Sequence, residues 1–163
     1  MKTTQTTRNH GFRSGYSTET QLFVTVNDLL ELYDKNKQVD IAILEFYKAF
    51  DTVPHDKLLQ KLDNYGVRGN ILQSLTRFLK IRKMNVFFEG EHSDSVLVEI
   101  GVPQGTVLGP LMFLCHIHDL PDTVESSVRL FADDCLLYRP ICFRNDHFIL
   151  QRELQEHEKW ANL

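Results

Sequence analysis

Between Arg129 and Tyr138 the chain reads Arg-Leu-Phe-Ala-Asp-Asp-Cys-Leu-Leu-Tyr, two apolar half-strands broken by adjacent aspartates. No other stretch restricts the fold as tightly. The apolar halves favour burial in a sheet, whereas two ionised carboxylates buried without partners would cost several kcal/mol. A hairpin meets both demands by turning at Asp133 and Asp134, where a divalent cation could offset the charge. Paired aspartates are also ordinary turn chemistry, so the pair alone leaves both readings open.

The run Val39 to Leu44 is short, β-branched and almost wholly apolar, as expected of a strand buried on both faces, and Glu45 closes it. If that strand lies beside the hairpin, Glu45 and Asp133 converge. Such a convergence suits a pair of Mg²⁺ ions roughly 4 Å apart. Taken by position alone, Glu45 is equally a strand-end residue facing solvent.

Helical periodicity accounts for much of the remaining chain. From Ser17 to Asp34, the residues Leu22, Phe23, Val26, Leu29, Leu30 and Tyr33 recur on one helical face, with Ser17 or Thr18 as cap. Leu58, Leu59, Leu62 and Tyr65 predict a second helix that ends at Gly66, and Ile71 to Leu79 a third behind Asn70. Asn85–Phe88 and Ser95–Ile100 predict a hairpin around the polar turn 89–94. Val107 to Ile117 reads as a buried helix that Asp119-Leu120-Pro121 stops, and Ile149 to Trp160 as a last helix. Residues 1–10 are polar and Thr-rich, predicting a disordered tail ahead of a single folded domain over 11–163.

The chain has 163 residues, 42% of them apolar, enough for one sizeable core. No apolar run approaches the roughly 20 residues that span a bilayer, and no secretion signal opens the chain, so an intracellular location, cytoplasm or nucleus, is expected. Three cysteines without CxxC spacing read as thiols rather than zinc ligands or disulfides. The net charge of −4 runs against phosphate binding, but Arg68, Arg77, Lys80, Arg82 and Lys83 fall close together. Taken alone, that cluster is explained first by a solvated helix face and second by nucleic-acid contact.

Four blocks stand in order along the chain: His10-Gly11-Phe12-Arg13-Ser14-Gly15-Tyr16-Ser17-Thr18; Ile43 to His55, containing Glu45-Phe46-Tyr47-Lys48-Ala49-Phe50-Asp51; Gly101-Val102-Pro103-Gln104-Gly105 continuing to Pro110; and Phe131-Ala132-Asp133-Asp134. In order and spacing they resemble the reverse transcriptases of non-LTR, LINE-type, jockey-like retrotransposons. The resemblance implies an α+β fold, part of a reverse transcriptase palm with part of the fingers, in which an antiparallel sheet packs on helices. It implies RNA-directed DNA synthesis from an RNA template, a DNA primer and deoxynucleoside triphosphates, with Mg²⁺ as cofactor and Mn²⁺ as a substitute. No membrane role is expected.

Position by position, the resemblance makes Glu45, Asp133 and Asp134 the catalytic carboxylates. They would hold the metal together with the backbone carbonyl of Phe46. It assigns Arg13 to the nucleotide triphosphate, where a planar guanidinium suits bidentate contact. Phe50 would gate against the nucleotide 2′-OH, and Gln104 and Gly105 would support the nucleotide and template base. Arg77, Lys80, Arg82 and Lys83 become candidate contacts to the nucleic-acid backbone.

Two departures stand against full activity. Where the family has aspartate, this chain has Glu45, which moves the carboxylate by roughly 1 Å, a displacement that can cost about a hundredfold in rate. The resemblance also implies that the thumb and further finger segments of a parent polyprotein lie outside these 163 residues. A catalytically dead transposon remnant that at most binds nucleic acid is therefore the alternative, and an unrelated α/β domain with an acidic turn a third.

Overall fold

A computed structural model of the chain describes residues 9–161. Packing divides the chain into two compact units, Met1–Tyr47 with His118–Leu163, and Lys48–Ile117. Helices and antiparallel sheets make up both.

The first unit is built on a three-stranded antiparallel sheet of β1 (Gln38–Glu45), β7 (Asp134–Ile141) and β6 (Ser127–Phe131), in the order β1-β7-β6. Side chains alternate across it. One face carries Leu130, Cys135 and Leu137, which are buried against the 3-10 turn Leu120–Thr123 and helix α5 (Asn145–Ala161). Burial pushes the Cys135 thiol up to about 12. The start of α5 is fixed by Asp146, whose carboxylate accepts from the Cys142 and Phe143 amides at 2.9 and 2.8 Å and from Arg139 Nε at 3.1 Å. Farther along, buried Glu153 accepts from the Glu125 and Ser126 amides and from the Ser126 hydroxyl, so the chain entering β6 is held on α5.

Helix α1 (Thr18–Asp34) lies on the opposite face and opens with a capping box between Ser17 and Thr20. Its orientation differs from expectation. Gln21 and Thr25 are buried, while Phe23 and Tyr33 are each 74% exposed and Leu22, Val26 and Leu30 are exposed as well. The helix is anchored through polar chemistry: Asp28 Oδ2 accepts from Arg129 Nε at 3.0 Å, from Arg129 Nη2 and from the Tyr138 hydroxyl. Strand β1 departs likewise from the expectation of two buried faces, because Ile43 on the α1 side is 79% exposed. The disordered tail expected over 1–10 falls mostly outside the described residues; Asn9 and His10, at its end, are buried.

The second unit holds α2 (His55–Asn64), α3 (Gly69–Lys80) and α4 (Leu108–Ile117), whose Leu58, Leu62, Leu79, Phe113 and Ile117 form its core. Gly66, φ +89°, follows the end of α2 as expected. The expected hairpin splits into two short ribbons, β2 (Lys83–Met84) with β5 (Val96–Leu97) and β3 (Phe87–Phe88) with β4 (Glu91–His92). Positive φ at both Glu89 and Gly90 makes the turn tighter than the six-residue loop expected. Ser93 interrupts the ladder, donating its amide to Val86 O and accepting the Val86 amide on its hydroxyl.

Candidate active site

Register decides which carboxylates meet. Strand β1 pairs with β7 from Gln38 opposite Ile141 to Glu45 opposite Asp134, and this last pair sits at the end of the sheet. Directly paired residues share a face, so Glu45 and Asp134 project together, and both are exposed. Asp134 also lines a groove of about 300 Å³ beneath the start of α1, with Thr18, Gln21, Leu22 and Thr25 on its far wall.

Asp133 is half-buried and occupies the two-residue turn between β6 and β7 with Ala132, whose φ is +52°. Positive φ at the first turn residue alone is the sign pattern of a type II′ hairpin turn, and it matches the right-handed twist of the strands. For alanine that conformation is costly. Phe46, next to Glu45, sets its ring 6.0 Å from that of Trp160 near the end of α5, which braces the Glu45 end of the pair.

A second strap crosses behind the turn. Asn9 bridges Leu130 in parallel, and the His10 amide donates to Leu130 O at 3.1 Å. Gly11 lies so close that a Cβ built on it would stand 2.2 Å from the Ala132 nitrogen, which excludes every other residue type there. Arg13 follows two residues later, half-buried in the turn that leads into α1.

The remaining expected site residues lie in the second unit. Phe50 stacks on Phe113 with centroids 4.4 Å apart, and its carbonyl accepts the Val102 amide at 2.7 Å. The Gln104 amide donates to Asp51 at 3.2 Å. Gly101 has φ +85° and its carbonyl accepts from His55 Nε2 at 2.8 Å and Arg82 Nη2 at 3.3 Å. The block around Gln104 is thus held on the Phe50 and Asp51 segment of the same unit. Within the basic cluster, Lys80 pairs with Asp56 and Arg82 serves Gly101, while Arg77 and Lys83 are exposed.

The whole arrangement, from the block at His10 to the end of α5, falls within one family match. The family model for reverse transcriptase (RNA-dependent DNA polymerase) aligns with residues 2–163. The chain belongs to the reverse transcriptase family. Among its relatives is the "Probable RNA-directed DNA polymerase from transposon X-element" of Drosophila melanogaster, 32% identical over 157 residues. The RNA-directed DNA polymerase from mobile element jockey of Drosophila funebris is 31% identical over 160. Each alignment covers 93% of this chain and 17% of the relative, so the chain spans about one sixth of the proteins it matches. A more distant relative is the Pol polyprotein of the type-1 retrotransposable element R2 of Popillia japonica, 27% identical over 63% of this chain.

Viewed as a reverse transcriptase segment, the chain presents oxygen donors at its carboxylate pair, a set suited to a hard divalent cation. Among the described residues no three acidic, histidine or cysteine groups come close enough to form a metal cage. Mg²⁺ is usually held by one or two carboxylates, with waters and substrate phosphates completing its shell, so two facing carboxylates fit that mode. No described helix is long and apolar enough to cross a membrane.

Asn9, Asp28 and His55 are structural partners that sequence reasoning did not single out for a role, and of these His55 alone lay within a recognised block. Nothing in the polar pattern of Asn9 or Asp28 marks their distant partners.

Proposed function

We propose that the first unit is part of a reverse transcriptase palm and that Glu45, Asp133 and Asp134 are its catalytic carboxylates, working with Mg²⁺, or Mn²⁺ in its place. The observation that carries the reading is the register pair of Glu45 with Asp134 beside the Asp133 turn. When bound, the metal would lower the pKa of the attacking primer hydroxyl and neutralise charge on the leaving pyrophosphate.

The chain's own work is positional. The sheet holds two carboxylates on one face, Ala132 aims Asp133 from the turn, and Phe46 offers its backbone carbonyl beside Glu45. Arg13 would take the triphosphate, with Phe50, Gln104 and Gly105 in the nucleotide-facing roles the resemblance implies. Arg77 and Lys83 are the cluster's exposed candidates for the nucleic-acid backbone, Lys80 and Arg82 being engaged within the chain. RNA template, DNA primer and deoxynucleoside triphosphates are the substrates proposed.

A second reading rests on one residue. Glu45 stands where the family places aspartate, so the chain can be a remnant that folds without catalysing. Primer extension on an RNA template separates the two, run with Mg²⁺ and with Mn²⁺ on the unmodified chain and on Glu45→Asp. The expected outcome is weak extension that rises up to about a hundredfold in Glu45→Asp. Extension by neither chain, under either metal, would favour the remnant.

A further inference from the structure

The turn that carries Asp133 is met by a side chain from far along the sequence, Asn9. Ala132 holds φ +52°, a conformation L-residues seldom adopt, immediately before Asp133. Hairpin pairing ends at Phe131 and Asp134, so the sheet ladder leaves Ala132 outside it. The side chain of Asn9 takes up both of its backbone groups. The Ala132 amide donates to Asn9 Oδ1 at 3.3 Å, and Asn9 Nδ2 donates to Ala132 O at 3.4 Å. Oδ1 also accepts the Gly11 amide at 2.9 Å, which fixes the carboxamide from its own strand.

Asn9 is buried, so these bonds face little competition from water. An amide is the natural side chain for this task, because it presents one acceptor and one donor to a peptide unit's N–H and C=O. Gly11 closes the same contact sterically, its Cα lying against the Ala132 backbone.

We infer that Asn9 is a positioning residue for Asp133, holding Ala132 in its left-handed conformation so that the carboxylate faces the metal. The inference rests on the proposed metal role of Asp133, and it adds a residue that contacts neither substrate nor metal. Loss of such an outer support typically lowers metal affinity by about 10–100-fold.

The test uses the full chain, with Mn²⁺ as the probe, in four forms: unmodified, Asn9→Ala, Asp133→Asn, and the double variant Asn9→Ala/Ala132→Gly. Mn²⁺ binding is followed by its electron paramagnetic resonance signal, and amide hydrogen exchange is followed at Ala132 and, as a control deep in the sheet, at Leu137. The expected result is binding lost in Asp133→Asn and weakened about tenfold in Asn9→Ala. Exchange would then quicken at Ala132 and stay slow at Leu137. The double variant should regain affinity, because glycine adopts positive φ without the alanine penalty.

Equal Mn²⁺ affinity in Asn9→Ala and the unmodified chain would overturn the inference and leave the metal site standing. Fast exchange at Leu137 as well would show a global fold defect and overturn a local role. No recovery in the double variant would overturn the assignment to the Ala132 backbone. If the unmodified chain binds no Mn²⁺, the metal reading fails, and the inference fails with it.

Discussion

Replacing Asp28 by alanine removes one oxygen that accepts from Arg129 Nε at 3.0 Å, from Arg129 Nη2 and from the Tyr138 hydroxyl. The consequence depends on burial. An exposed ion pair contributes about 0–1 kcal/mol, whereas breaking a buried one costs about 3–5 kcal/mol because the remaining charge is left unpaired. Here the Arg129 side chain is 11% exposed and that of Asp28 is 27%, near the buried end without reaching it. A loss of about 3 kcal/mol is therefore expected, which for a chain of this size lowers Tm by roughly 6–12 °C.

Controls divide that loss into its causes. Tyr138→Phe removes one hydrogen bond to a charged acceptor and should cost about 1.5–3 kcal/mol. Asp28→Leu combined with Arg129→Met replaces the pair by apolar groups and should lose less than Asp28→Ala alone, since no charge is stranded. Thermal and urea unfolding of these variants, together with Asp28→Leu and Arg129→Met made singly, supply the double-mutant cycle. If Asp28→Ala changes stability by less than about 0.5 kcal/mol, or if the two substitutions simply add, α1 is not anchored through this triad.

Gly101→Ala sets φ +85° against a Cβ that would stand 2.6 Å from the Asp51 carbonyl oxygen, so thermal melts should show a loss of about 3 kcal/mol. Gly66→Ala, at φ +89° with nothing within 4 Å, should lose only about 1 kcal/mol, and equal losses would remove the steric part of the argument. Buried His157, whose ring nitrogens meet no partner among the described residues, has its pKa lowered by burial, against the opposing charge of Glu153. The unfolded chain then binds the proton more readily, so this stabilisation is present above about pH 6.5 and is lost as pH falls below it. Tm should drop between pH 7.5 and 5.5, and His157→Leu should flatten that drop; an unchanged slope would refute the assignment.

Periodicity made most elements legible. Helix α1, the helix at Leu108–Ile117 and the β6–β7 hairpin all form where the pattern places them, since each needs only local sequence, although Leu108 and Leu111 are exposed where a buried helix was expected. The face of α1 was not legible. A period of 3.6 shows which residues share a side, and it says nothing of whether a partner covers that side. Leu22, Phe23, Val26, Leu30 and Tyr33 form the stripe, yet Asp28, from the polar remainder, makes the anchoring contact. Asn9 was hidden for a related reason: its bonds to Ala132 reach across 123 positions, and a short polar residue in a Thr-rich stretch carries no pattern.

Position and reach separate at Glu45. The backbone there is fixed by its pairing with Asp134, by the β1–β7 ladder behind it and by the Phe46–Trp160 contact ahead of it, none of which uses the carboxylate. The side chain is exposed. One methylene more or less therefore changes where the charge ends without changing where the strand ends. The fold of this segment is expected to be the same with aspartate or glutamate at position 45, whereas the metal chemistry proposed there is sensitive to a shift of about 1 Å. The family match over residues 2–163 and the impairment proposed for Glu45 are then compatible, because the match spans the segment and the proposal turns on the length of a single side chain.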